Sequence, residues 1–188
     1  MSHRYQVYVP ADYSHARRWP AIVVFPQAPP EHRWHGQVAH LALAALDRAL
    51  QEFTTDADRV YLVGISAGGN GVWNLAYRYP ERFAALVAIC GWVMPTAERR
   101  EAILPADGGP PYAGIARRIR SLPTWIWHGS ADGVVPVEES RRMAHALRVG
   151  GAEVTYTELP GVGHDAWTAA FDSPELPRWL FTQNRRDR

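Results

Sequence analysis

The ten residues Val60-Tyr61-Leu62-Val63-Gly64-Ile65-Ser66-Ala67-Gly68-Gly69 constrain this chain more than any other stretch. The apolar run Val60 to Val63 reads as a buried strand, and the residues after Gly68 as far as Tyr79-Pro80 read as a helix. Between them a serine stands two residues from a glycine on each side. A turn this sharp between strand and helix strains the serine backbone and leaves no room for β-carbons near it, which is why glycine is needed there. The serine oxygen is lifted out at the carboxyl end of the sheet. A G-x-S-x-G string alone carries little information; the strand before it and the helix after it supply the context.

Taken in order, the chain alternates strands and helices around this turn. Tyr5-Gln6-Val7-Tyr8-Val9 alternates large and polar residues up to Pro10, which predicts a half-exposed edge strand. Ala21 to Phe25 is apolar throughout and predicts a strand covered on both faces, ended by the Pro-rich stretch 26–30. From Gln37 to Phe53 the positions Val38, Leu41, Ala45, Ala49 and Phe53 recur at helical spacing. Phe83 to Ile89 is a second buried strand, closed by Cys90-Gly91. Thr96 to Leu104 reads as a helix with Arg99 and Arg100 on its wet face, and Pro105 to Gly114 as a loop. Long loops of this kind usually cover a site. Thr124 to His128 is a strand, Val137 to Val149 a helix opened by Pro136, Glu153 to Leu159 the last strand, and Glu175 to Phe181 a terminal helix.

This order predicts an α/β fold: one domain over residues 1–188, with a mostly parallel sheet and helices on both faces. In such sheets ligands bind beyond the carboxyl ends of the strands. Ser66, the loop at Asp132 and the loop at His164 each come directly after a predicted strand, so all three are expected on that one edge.

Charge and cysteine content narrow the function. Twenty basic against nineteen acidic residues leave a net charge of +1, too weak a field to favour nucleic acid or an anionic membrane. A small neutral substrate fits better. Cys90 is the only cysteine, so no internal disulfide forms, and its place at the end of an apolar run marks a buried thiol rather than a nucleophile. No run of eighteen apolar residues occurs and the N-terminus lacks a signal-peptide core, which predicts a cytoplasmic chain without a membrane span. No His-x-x-x-His or cysteine cluster occupies a strand end, so neither a metal nor a cofactor is expected.

A serine hydroxyl needs a base to take its proton, usually a histidine oriented by a carboxylate. Of eight histidines, His164 lies in Gly161-Val162-Gly163-His164-Asp165, a turn after the last strand from which the ring can project over Ser66. His128 ends a strand beside the site and is a candidate to support it; its Gly129 neighbour suggests a structural turn residue instead. Asp132, in the loop from Gly129 to Pro136, is the candidate carboxylate; an Asx-turn is its plainer reading. Asp165 adjoins the histidine and faces the wrong way to orient it. The order along the chain is Ser, Asp, His.

On these residues the sequence resembles the α/β-hydrolase superfamily. More narrowly it is similar to the phospholipase/carboxylesterase and feruloyl-esterase-like group, which includes polyhydroxybutyrate-depolymerase-like esterases. The matching pieces are Val24-Phe25-Pro26-Gln27 with Trp34, the stretch from Asp58 to Gly69, Tyr79 to Ala85, the Asp132 loop, and Pro160 to Trp167. They run from about residue 20 to the end in the family's order. The resemblance implies Ser66, Asp132 and His164 as catalytic residues of a serine carboxylesterase acting on a small or aromatic ester. Trp92, Trp167 and Tyr112, on or near loops at the active edge, are candidate substrate-binding walls; core packing is the equal alternative for each.

One departure stands out. Family members carry a strand ending in His-Gly ahead of the one matched by Val23 to Gln27, and the residue after that His-Gly donates one of two oxyanion-hole N–H groups. Here Arg18-Trp19-Pro20 runs straight into Ala21 to Gln27. The Ala67 N–H remains as one donor. The other would come from the Gln27 amide, or from a backbone N–H near Ala28, if this strand has moved into the vacated place. Losing one donor costs about a hundred- to a thousandfold in turnover. A shortened sheet would also leave an apolar edge that favours pairing of two copies. The rival readings are a hydrolase-fold binding protein without catalysis, and a thioesterase or peptidase of the same fold.

Overall fold

In the computed structural model, which describes residues 5–27, 36–94, 103, 105 and 108–188, five strands form one parallel sheet. They are β1 (Trp19–Phe25), β2 (Thr55–Ile65), β3 (Ala85–Ile89), β4 (Thr124–Gly129) and β5 (Val154–Leu159), side by side in chain order. Each pair is bridged by a helix: α1 (Gly36–Glu52), α2 (Ala67–Arg78), α3 (Pro111–Ile119) and α4 (Glu138–Val149). A strand–helix–parallel strand connection is right-handed almost without exception. A sheet that always steps in the same direction therefore puts every crossover helix on one face. The packing agrees: Leu43 and Leu46 of α1, Val72 and Leu75 of α2, Ile115 and Ile119 of α3, and Met143 and Leu147 of α4 share one core with Leu62, Leu86 and Ile126 of the sheet.

Among the described residues, the opposite face is covered by the segment after β5. The chain returns as α5 (Trp167–Asp172) and α6 (Glu175–Thr182), whose Ala170, Leu176 and Leu180 pack on Tyr61, Val63, Val87, Ile89, Trp125 and Trp127. This cover stops at β2. Ile22 and Val24 of β1 are in register with Tyr61 and Val63 and so share their face, yet they are 45% and 51% exposed where Tyr61 and Val63 are 0% and 4%. The centre of the sheet is the reverse case: every residue of β3 and β4 is buried, as the apolar run of β3 and the Trp-Ile-Trp centre of β4 require. Beyond α6, Arg185 and Arg186 pair with Asp58, tying the C-terminal residues to the start of β2. No described helix is long and apolar enough to cross a membrane.

Three expectations change, the first being that β1, expected to be covered on both faces, leaves Ile22 and Val24 open on one. Tyr5 to Val9 is exposed chain outside the sheet: alternation makes a strand only where an edge is offered for pairing. Here the chain turns at Pro10 to Tyr13 instead, and the Tyr13 hydroxyl docks on Thr54 N–H. The loop expected over Pro105 to Gly114 gives way to α3 at Pro111, proline being well suited to a helix's first turn. The short helix α5 had no periodicity long enough to announce it. The helix expected over Thr96 to Leu104 lies, but for Ile103, outside the described residues, as do Trp34 and Ala28.

Candidate active site

The turn between β2 and α2 puts Ser66 at φ 55° and ψ −114°, a left-handed conformation that costs a non-glycine residue strain. It is held there by its N–H donating to Ile89 O at 2.7 Å and by its carbonyl accepting from Asn70 N–H. The glycines around it are a steric requirement. A β-carbon on Gly64 would sit 2.2 Å from Gly68 O, and one on Gly68 would sit 1.9 Å from Phe25 O. The second contact also shows that the end of β1 runs directly against the turn.

The loops after β4 and β5 are stitched together next to it. Ser130 N–H donates to Leu159 O, Ala131 N–H to Val162 O, and Gly161 N–H to Ser130 Oγ, all within 3.0 Å. This fixes Asp132 against His164. His164 Nδ1 lies 2.7 Å from Asp132 Oδ2, and its Nε2 lies 2.8 Å from Ser66 Oγ. An ionised carboxylate can only accept, so Nδ1 carries the ring proton and the Nε2 lone pair faces the serine hydroxyl. Residues that are 98 and 32 positions apart are thus in one hydrogen-bonded line.

Asp132 has further donors. Oδ1 accepts from Val134 and Val135 N–H at 2.8 and 2.9 Å, and His128 Nε2 lies 3.1 Å from Oδ2. The side chain is fully buried. Burial alone pushes its carboxyl upward, but the hydrogen bonds from His128, His164, Val135 and Val134 outweigh that and hold it well below the usual carboxylate range. The Asx-turn and the contact with His164 are both present, one on each oxygen. His128, which the sequence offers both as a support for the site and as a turn residue, lies against this network. Its one signal was a histidine inside an otherwise apolar strand.

The remaining candidates separate. Ala67 opens α2, where first-turn N–H groups have no partner within the helix. Trp92 is buried against Ala67 and Val135, with its carbonyl held by Asn70 Nδ2 at 2.9 Å. Trp167 packs its ring edge-on to His164, centroids 5.6 Å apart. Tyr112 stands in the first turn of α3, and its hydroxyl donates to Glu139 at 2.7 Å. Glu139, which the sequence did not single out, also accepts from Val93 and Met94 N–H and so anchors the segment that carries Trp92. Gln27 is exposed, two residues past β1. Since β1 pairs directly with β2, in register up to Phe25 and Gly64, the strand does occupy the place beside the turn.

Ligand atoms of Cys90, Asp132 and His164 lie within 4.8 Å of one another. The Cys90 thiol donates to His164 O, and burial, helped by the Asp132 charge, pushes it up to about 12.

Comparison with known proteins agrees with the topology. A model of the α/β-hydrolase-fold family matches residues 29–114. Esterase LipC of Mycobacterium tuberculosis is 28% identical over 188 aligned positions, taking in 79% of this chain and 45% of that protein. Acyl-protein thioesterase 1 of Gibberella zeae is 24% identical over 118 positions, 63% of this chain and 46% of that protein. The chain thus spans less than half the length of these two relatives. The crystal structure of a thermostable esterase superposes with a TM-score of 0.78 at 24% identity, covering 94% of this chain and 58% of its own.

Proposed function

We propose that this chain, an esterase-like α/β hydrolase by fold and relatives, is a serine carboxylesterase. The observation that carries the reading is the line from Ser66 Oγ through His164 to Asp132, with contacts of 2.8 and 2.7 Å. Ser66 attacks the ester carbonyl while His164 Nε2 takes its proton; the same proton is then given to the leaving alcohol. Asp132 keeps the ring in the tautomer this needs and stabilises the imidazolium that forms. Water, activated by His164, attacks the acyl-enzyme and regenerates Ser66. The carbonyl oxygen becomes an oxyanion that the Ala67 N–H stabilises from one side. The Gln27 amide, or a backbone N–H just after it, serves from the other. Trp92 and Trp167 border the acyl position.

A thioester is the second substrate class, favoured by the thioesterase among the relatives; it passes through the same acyl-enzyme. The test is p-nitrophenol release from short-chain acyl esters by the wild type and by Ser66→Ala at equal, verified folding, with an acyl thioester run alongside. A Ser66-dependent burst followed by steady turnover is expected. Background rates from both proteins would instead favour a binding protein that keeps the fold without the chemistry.

A further inference from the structure

We propose that His128 is a positioning residue for the reaction, fixing the Asp132 carboxylate so that it presents one oxygen to His164 in a single orientation. The inference rests on the reading of Ser66, His164 and Asp132 given above. His128 is fully buried at the end of β4 and each of its ring nitrogens is engaged. Nε2 lies 3.1 Å from Val135 O and 3.1 Å from Asp132 Oδ2. Both are acceptors, so Nε2 carries the proton; it donates to Val135 O and sets the polar edge of the ring against Asp132 Oδ2. Nδ1 lies 2.7 Å from Ser140 Oγ on α4, and in the neutral ring it accepts from that hydroxyl. Ser140, itself buried, thereby selects the tautomer of His128 as Asp132 selects that of His164.

The geometry separates the two oxygens of Asp132. The backbone donors of Val134 and Val135 hold Oδ1; by themselves they leave the carboxylate able to rock about that anchor. The two imidazoles converge on Oδ2. With His128 in place, the oxygen that His164 uses is held from the interior as well as from the site. Without it, Oδ2 is buried with one polar neighbour fewer, and misplacement of a catalytic pair by a fraction of an ångström is enough to lower turnover.

The test compares His128→Gln with His128→Asn. Glutamine carries its amide to where Nε2 stood and can still set a polar edge against Asp132; asparagine, one methylene shorter, reaches only the Nδ1 position. Both are polar and of similar demand on the fold, and thermal melts confirm folding before comparison. With p-nitrophenyl acetate, His128→Asn is expected to lower kcat by about ten- to a hundredfold with KM nearly unchanged, and His128→Gln to recover most of the loss. Equal kcat for the two folded variants, or wild-type kcat for His128→Asn, overturns the proposal. The low-field proton resonance of the His164–Asp132 hydrogen bond is a readout independent of turnover. It is expected in the wild type and in His128→Gln and to be lost or displaced in His128→Asn; an unchanged resonance in His128→Asn contradicts the proposal. A wild type without esterase activity, whose resonance nonetheless responds in this way, would remove the esterase reading and leave the positioning role standing.

Discussion

On one flank of β2 lie β3 and β4, buried along their whole length, and past them the loops of Asp132 and His164, bonded to each other through Ser130 and Ala131. On the other flank lies β1, with Ile22 and Val24 about half exposed and Gln27 exposed just past its end. Ser66 stands between the two. Acid and base are therefore held redundantly: N–H groups of Val134, Val135, His128 and His164 all reach Asp132, and the ends of β4 and β5 converge on its loop. In the proposed mechanism the oxyanion side would rest on the Ala67 N–H and on whatever the end of β1 presents. Proton transfer requires two distances to be right at once, and that is the flank where the chain has invested its buried hydrogen bonds.

The contrast can be broken at several points. Ser66→Ala removes the nucleophile and is expected to lower kcat on the order of ten-thousand- to million-fold, measured on any ester the wild type turns over. Asp132→Asn breaks the secure flank: the amide lets His164 adopt the wrong tautomer, and kcat falls by about ten-thousandfold at unchanged folding. Gln27→Ala strikes the thin flank and is expected to cost about a hundredfold in kcat with little change in KM. Unchanged turnover there would move the second donor from the side chain to the backbone.

Stability should show the same asymmetry. Leu86→Ala, in the middle of β3, is expected to cost about 2–5 kcal/mol in denaturant unfolding, whereas Ile22→Ala on β1 should cost less than about 1 kcal/mol. A large cost at Ile22 would mean that something covers that face. The pH dependence comes from Asp132, whose folded value is lowered from 3.8. Its contribution is complete above the unfolded value and is lost as pH falls towards the folded one. The stability difference between wild type and Asp132→Asn should therefore be constant from pH 8 to about pH 5 and shrink below about pH 4. A difference that grew on acidification would reverse the sign assigned to this group.

Much of this was legible because it is local. The strand–Gly–Ser–Gly–helix pattern around Ser66, and the positions of Asp132 and His164 just past strands, come from spacing along the chain and the rule that sites gather at the carboxyl edge. The features that were not legible depend on contacts between distant segments. His128 reads either as a support or as a turn residue until β4 and α4 bring Ser140 and Asp132 to its two nitrogens. Nothing local in the sequence shows that Glu139, from the next helix, takes the Tyr112 hydroxyl. Tyr5 to Val9 has the alternation of a strand, yet pairing depends on which edge is offered and what else is bonded there.

The most direct test of the central claim is intact-mass analysis after exposure to a fluorophosphonate, followed by peptide mapping, on the wild type and His164→Ala. A single adduct on the peptide containing Ser66, formed quickly in the wild type and abolished or greatly slowed in His164→Ala, is the predicted result. No adduct, or labelling at Ser66 that is equally fast without His164, would contradict the account of Ser66 as a nucleophile activated by this histidine.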